Sequence, residues 1–195
     1  LYIQISLVGE SSANLSLLLQ AGKLDLIIDN CILDEQILIT MFIKKNIFYL
    51  PFPKATRKYP TEEYQIPIET IHDGSFLSPE VLSVPLNSFA NESFIILRSD
   101  NDTGKRALTI CQENNFTPHT IFRLDQQMTA YNIACSGMGI TFIGDLLLAS
   151  APATSELIFY KLPGKNCNRN VSFYWKKGRY ISRAMEEFLK IALPR

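Results

Sequence analysis

Few side chains in this chain are of the kind that make and break bonds. His72 and His119 are its two imidazoles, and neither falls into a Ser–His–Asp ordering or beside a paired-carboxylate motif. Cys31, Cys111, Cys135 and Cys167 are scattered, with no CxxC pair and no metal-ligand spacing to either histidine. The residues able to do chemistry are polar groups at predicted helix starts: Ser11 and Ser12, the loop Ser99 to Thr103, and Asp125, Gln126 and Gln127. A helix N-terminus presents unpaired N–H groups and the positive end of the macrodipole, which suits an anion. The two glutamines can also hydrogen-bond a carboxylate or an amine, and Arg98, ending a strand, can meet an anion or simply sit in water. Each position has a plainer reading. Ser11 or Ser12 and Asp125 are ordinary N-caps, and Ser99 to Thr103 is a solvated loop with an Asp cap. Asp100 and Asp102 would repel an acidic ligand, so that loop favours a polar or cationic one. This is binding chemistry, so we expect no enzyme activity, no cofactor and no metal.

The elements that must position these groups follow from local pattern. Leu1 to Val8 is an apolar run read as a strand. Leu15, Leu18 and Leu19 lie at helical spacing, and Gly22 stands where a left-handed helix cap belongs. Leu24, Leu26, Ile27 and Ile28 then read as a strand covered on both faces, as in a parallel sheet. Ile37 to Ile43 is apolar and Ile47 to Leu50 is another strand. Pro51, Pro53, Pro60 and Pro67 punctuate an aperiodic stretch up to Phe76, which reads as an ordered excursion or a loop.

Phe94 to Leu97 is a strand, and Asp102 or Thr103 caps a helix burying Ala107, Ile110 and Cys111. Ile121 to Leu124 is a strand. Asp125 caps a helix through Met128, Tyr131, Ala134 and Cys135, which stops at Gly137. A strand from Ile140 to Ile143 leads to a short helix at Gly144 and Asp145. Gly137 and Gly139 follow a helix rather than a strand, so they are no dinucleotide fingerprint. Leu157 to Leu162 and Val171 to Trp175 are strands, with Trp175 as core. The last helix buries Ile181, Met185, Phe188, Leu189 and Ala192, with Glu186–Lys190 and Arg183–Glu187 paired outside. Alternating strands and helices argue α/β.

The 195 residues carry 19 basic and 19 acidic side chains. That balance gives no electrostatic footprint for nucleic acid and no polybasic membrane patch. No apolar run approaches the roughly 20 residues that span a bilayer. The cysteines read as reduced thiols of a cytoplasmic protein, with Cys111 and Cys135 on apolar helix faces. The chain starts inside an apolar run without a Met, so it reads as a fragment or a processed product.

Three patterns stand in a fixed order: the capped helix followed by GKLDLII; FIILRSDNDTGKRALTICQENNFTP (Phe94 to Pro118); and DQQMTAYNIACSGMGITFIGDLLL (Asp125 to Leu148). With the closing VSFYWKKGRYISRAMEEFLKIAL, they resemble the effector-binding domain of LysR-type transcriptional regulators. The resemblance implies a type II periplasmic-binding-protein-like α/β fold, with two lobes joined by two crossover strands. The lobes would be 1–45 plus 160–195, and 46–159. A small-molecule effector would bind in the cleft between them. Ser11, Ser12 and Asn30 would be contacts from the first lobe, and Arg98, Ser99, Asp100, Asp125, Gln126 and Gln127 from the second. The resemblance further implies a homodimer that touches DNA only through an N-terminal helix-turn-helix missing here, and no membrane. It also implies that the first strand and helix of the effector domain are missing. A transporter solute-binding protein shares this fold and is the alternative. A prephenate-dehydratase-like enzyme fits less well, because the Thr-Arg-Phe motif of that family meets Thr56-Arg57-Lys58 here.

Overall fold

In the computed structural model, which describes residues 4–55, 62–73, 75, 78, 80–152 and 154–193, the chain alternates strands and helices. Helix α1 (Ser12–Gln20) precedes strands β1 (Ile27–Asp29) and β2 (Leu38–Pro53). There follow β3 (Gln65–Ile66), α2 (Ile68–Asp73), β4 (Ser93–Leu97), α3 (Asp102–Glu113), β5 (His119–Leu124) and α4 (Gln127–Cys135). The chain closes with β6 (Ile140–Thr141), β7 (Ile143–Gly144), α5 (Asp145–Leu148), β8 (Leu157–Lys161), β9 (Asn168–Lys176) and α6 (Arg183–Ala192). It divides into two units, Leu1–Lys45 with Arg169–Arg195, and Asn46–Asn168. Residues 160–168, expected in the first lobe, lie in the second unit. There β8 pairs antiparallel with β2 through Tyr49↔Lys161 and with β3 through Gln65↔Tyr160, which ties Lys161 and its successors to that sheet. Among the described residues no helix is long and apolar enough to cross a membrane.

In the first unit β9 lies between β1 and the opening half of β2. Tyr174 of β9 packs with Leu19, Ile27 and Leu38 on the α1 face. Phe173 and Trp175 pack with Met41, Ile43, Met185, Phe188 and Leu189 on the α6 face. Helix α1 ends as Gly22 requires: φ is +73° there. The Lys23 N–H reaches back to Leu18 C=O (2.9 Å) and the Gly22 N–H to Leu19 C=O (3.0 Å), a Schellman pair. Two expectations fail in this unit. Residues 4–8 form no strand, and Ile5 and Leu7 are exposed. Strand β1 is three residues long and antiparallel to β9, with Ile28 55 % exposed. With Ile28 exposed, β1 is not covered on both faces, and among the described residues only β9 pairs with it.

In the second unit a parallel sheet runs β5-β4-β6. Phe94 and Ile96 face Ala107, Ile110 and Cys111 of α3. Ile95 and Leu97 face Ala130, Tyr131 and Ala134 of α4. This central strand, buried on both sides, is why FIIL is continuously apolar. The run Ile140 to Ile143 is not one strand. Ile140 and Thr141 pair with β4, whereas Ile143 and Gly144 turn to pair antiparallel with β2, so Phe142 marks a change of sheet.

From Leu38 onward the expected runs Ile37–Ile43 and Ile47–Leu50 join into one strand of 16 residues that includes Pro51 and Pro53. The Lys54 N–H donates to Glu156 C=O (2.8 Å), so even-numbered residues here bond toward β8. The ring nitrogens of the two prolines therefore point to the other edge, where no donor is needed. Beyond them the supposed aperiodic stretch contains β3 and α2. Thr56 to Lys58, Pro60 and Phe76 lie outside the described residues. On α6, Lys190 pairs with Glu187 (2.9 Å) in place of the expected Glu186, and Ser182 caps the helix.

Candidate functional site

The carboxyl ends of β4, β5 and β6 open onto helix starts, which in a parallel α/β sheet is where ligand-facing loops gather. After β4 the chain turns sharply. The Arg98 N–H bonds Leu124 C=O (2.8 Å), and the Asn101 N–H returns to Arg98 C=O (3.0 Å). Asn101, rather than the expected Asp102 or Thr103, caps α3, its Oδ1 accepting the Thr103 N–H at 2.8 Å. The cap is one residue early because the carboxylate of Asp102 is engaged by Arg106 Nε (2.8 Å) within the first turn. Gly104 has no room for a side chain: a Cβ would strike the carbonyl oxygens of Leu97 and Arg98.

After β5, Asp125 does not cap α4. Gln126 holds the N-cap position without a side-chain bond, and Asp125 lies 3.6 Å from the Arg98 guanidinium, whose other neighbour is Asp100 at 3.9 Å. All three side chains are largely exposed, as are Ser99 and Gln126. These pairs are worth at most about 1 kcal/mol each. Gln127 behaves differently from its neighbours. Its Nε2 donates to Thr103 Oγ1 (2.9 Å) on α3, and its Oε1 accepts the Gly144 N–H (3.2 Å) before α5. One amide thus ties three helix starts together. Gly144 in turn has Asn46 against its α-carbon, where a Cβ would collide with Asn46 Oδ1. Asp145 Oδ1 accepts the N–H groups of Ile47 and Leu146, both at 2.9 Å.

The first unit offers a smaller set. Ser11 caps α1, its Oγ accepting the Asn14 N–H at 3.3 Å. Ser12 Oγ accepts from the Cys31 thiol (3.3 Å). Asp29, only 9 % exposed, accepts the N–H groups of Asn30 (2.6 Å) and Cys31 (2.9 Å). The Tyr174 hydroxyl donates to Cys31 C=O (2.6 Å), and burial raises that phenol's pKa. Within this unit the structure brings Ser12 to the Asn30–Cys31 turn, while Ser11 is spent on its own helix.

The arrangement offers charged and hydrogen-bonding groups to a polar molecule. His119 begins β5, at the opposite end of the strand from Asp125, about 20 Å away at the rise of a strand. Among the described residues no cluster of His, Cys, Asp or Glu could hold a metal. Among the described residues Cys111, Cys135 and Cys167 are free thiols. Burial pushes the thiols of Cys111 and Cys167 up to about 12, which makes them poor nucleophiles. Cys135, expected in the core, is half-buried.

Sequence reasoning missed Asn46, Thr103 and Gly144 as a linked group, and Asp29 with Tyr174. The Asp-Asn step after β1 was a usable turn signal for Asp29. Asn46 carries no local signal, because its neighbour Gly144 lies far along the chain.

Residues 76–195 match the family model described as the LysR substrate binding domain. The chain belongs to that family. Over 194 residues it is 23 % identical to YcgK of Bacillus subtilis (strain 168), an uncharacterised HTH-type transcriptional regulator, covering 98 % of this chain and 57 % of YcgK. The LysR-family chain thus spans little more than half of that relative. Its fold is similar to the Synechocystis PCC6803 CcmR regulatory domain in complex with 2-PG, with a TM-score of 0.70 at 16 % identity over 92 % of this chain and 77 % of that one. It is likewise similar to the effector binding domain of QuiR in complex with shikimate, with a TM-score of 0.68 at 18 % identity over 94 % of this chain and 77 % of that one. The LysR-family chain has the type II periplasmic-binding-protein-like α/β fold of these domains.

Proposed function

We propose that this chain is the ligand-sensing part of a LysR-type transcription regulator. It binds a small-molecule effector and relays that binding to DNA-binding domains outside the chain. The observation that carries the reading is the family match, which includes all three helix-start loops of the second unit. The candidate contacts there are Arg98, Ser99, Asp100, Asp125 and Gln126, with Gln127 holding the loops in place. In the first unit the candidates are Ser12 and Asn30, and Ser11 serves its helix. The protein works as a homodimer in the cytoplasm, meets DNA only through its other domains, and catalyses no reaction. The transporter alternative is disfavoured by the regulator relatives. Effector acts by binding one arrangement of the protein better than another, since equal affinity for both shifts nothing.

A thermal-shift screen with amino acids, small carboxylates, amines and aromatic acids tests this. A ligand at 100 times its dissociation constant adds about 2.7 kcal/mol, a shift of roughly 5–11 °C for a chain of this size. A hit that also changes promoter-DNA binding by the full-length protein supports the reading. A hit that the protein consumes, or one without effect on DNA binding, sinks it.

A further inference from the structure

Resting on that effector-binding reading, we propose that α3 is the coupling element of the second unit. It carries a change at the loop 99–103 to the turn 163–167, from which the chain passes into the first unit. The helix has 12 residues and spans about 18 Å. Its start is fastened to the loop that holds candidate contacts. Asn101 caps it, Thr103 Oγ1 accepts from Gln127, and Gly104 lies against the carbonyls of Leu97 and Arg98. A ligand that displaces the loop after β4 therefore displaces the first turn of α3 with it.

The far end of the helix is fastened to a different piece of chain. Asn166 Nδ2 donates to Glu113 Oε1 at 2.6 Å. Asn166 belongs to a 3-10 turn, Lys165–Cys167, entered through Gly164 at φ +96°. The Cys167 thiol donates to Pro163 C=O (2.9 Å) and closes the turn on itself. Its side chain is 1 % exposed and packs with Ala107, Ile110 and Cys111 of α3. Strand β9 begins at the next residue, Asn168, and from Arg169 onward the chain belongs to the first unit. One helix thus holds the loop after β4 at one end and the root of β9 at the other. A core packed at crystal density passes a shift on rather than absorbing it, and rigid elements with packed side chains are what carry coupling between sites. The Glu113–Asn166 bond is exposed, so its loss leaves the fold intact while loosening the turn's hold on the helix.

The test needs no ligand. In the 195-residue chain, Thr103→Val removes the hydroxyl that Gln127 holds while keeping the shape of the side chain. Hydrogen exchange is then read at the amides of β9 and, as a control, of α1. The expected result is faster exchange at the opening residues of β9, with α1 unchanged. Glu113→Ala diminishes that response by about threefold or more, and Asn166→Ala does the same. Glu113→Gln, which keeps an acceptor oxygen for Asn166, preserves it. An equal increase in α1 would report a uniform loss of stability and overturn the proposal. Additive effects of Thr103→Val and Glu113→Ala would also overturn it, leaving Gln127, Gly144 and Asn46 as the route to β2. So would a β9 that does not respond to Thr103→Val. None of these outcomes bears on whether an effector binds, which the thermal-shift screen with its DNA readout decides separately.

Discussion

The second unit builds its polar edge on a sheet whose central strand is buried on both faces, whereas the first builds its own on a sheet edge. Above β4 the starts of α3, α4 and α5 are cross-linked by the amide of Gln127, and Gly104 lets α3 close onto the backbone of Leu97 and Arg98. Beside β1, α1 carries its own cap, and one thiol–hydroxyl contact, Cys31 to Ser12, joins it to the following turn. The difference teaches that similar helix starts do different work. Loops tied to one another across three helices hold a fixed geometry, while a self-capped start beside an edge strand commits its hydroxyls to local partners.

Core truncation should separate the two most widely. Ile95→Ala removes a fully buried side chain between α4 and the sheet, and should cost about 2–5 kcal/mol by denaturant unfolding. Ile28→Ala, at a site 55 % exposed on β1, should stay within about 0.5 kcal/mol. Equal losses would mean that the β1 edge is covered in solution.

Glycine replacement gives the next contrast. Gly104→Ala forces a methyl into two backbone carbonyls, which cannot swing aside as a side chain does, and should cost about 3 kcal/mol. Gly9→Ala meets nothing within 4 Å and should be neutral to about 0.5 kcal/mol. A tolerated Gly104→Ala would show that α3 is not closed onto the loop.

Polar truncation is smaller again. Gln127→Ala strips the partner from the Gly144 N–H and from Thr103, at about 1–3 kcal/mol. It should weaken effector binding although Gln127 need not touch the ligand. Ser11→Ala loses one cap bond, about 1 kcal/mol, with no effect on the second unit's loops. If Gln127→Ala melts like wild type, the cross-link is not holding them.

The smallest effects are chemical. Near neutral pH a thiol reagent should label Cys31 and Cys135, which are half-buried, and spare Cys111 and Cys167 until the protein unfolds. The folded pKa values of the latter pair are raised from 9.0 to about 12. The native state therefore holds more protons than the unfolded chain in that window. Their contribution to stability is complete below about pH 9 and is lost as pH rises toward 12. A melting point that rises between those limits would contradict the burial.

Much of the second unit was legible because its signals are local. FIIL, the helical spacing of Ala107, Ile110 and Cys111, and the stop at Gly137 each lie within a few residues of what they specify. The caps were misplaced by one residue, since Asn101, Asp102 and Thr103 are all capable and only the Arg106 contact decides among them. LDLIID looked like FIIL but became a three-residue edge strand. Apolar content says that a run can be buried, and cannot say whether a neighbour exists to bury it.

By itself the sequence determined the α/β class, the ends of α1 and α4 at Gly22 and Gly137, the three polar loops and the family likeness. The tertiary structure alone decided which groups in those loops are tied to one another. Gln127 reaches residues 24 and 17 positions away, and Asp145 holds an N–H 98 positions away. Those bonds depend on how β4, β5, β6 and β2 are laid beside one another, and a hydrogen bond needs its partner within about 3 Å, a distance that no local pattern encodes.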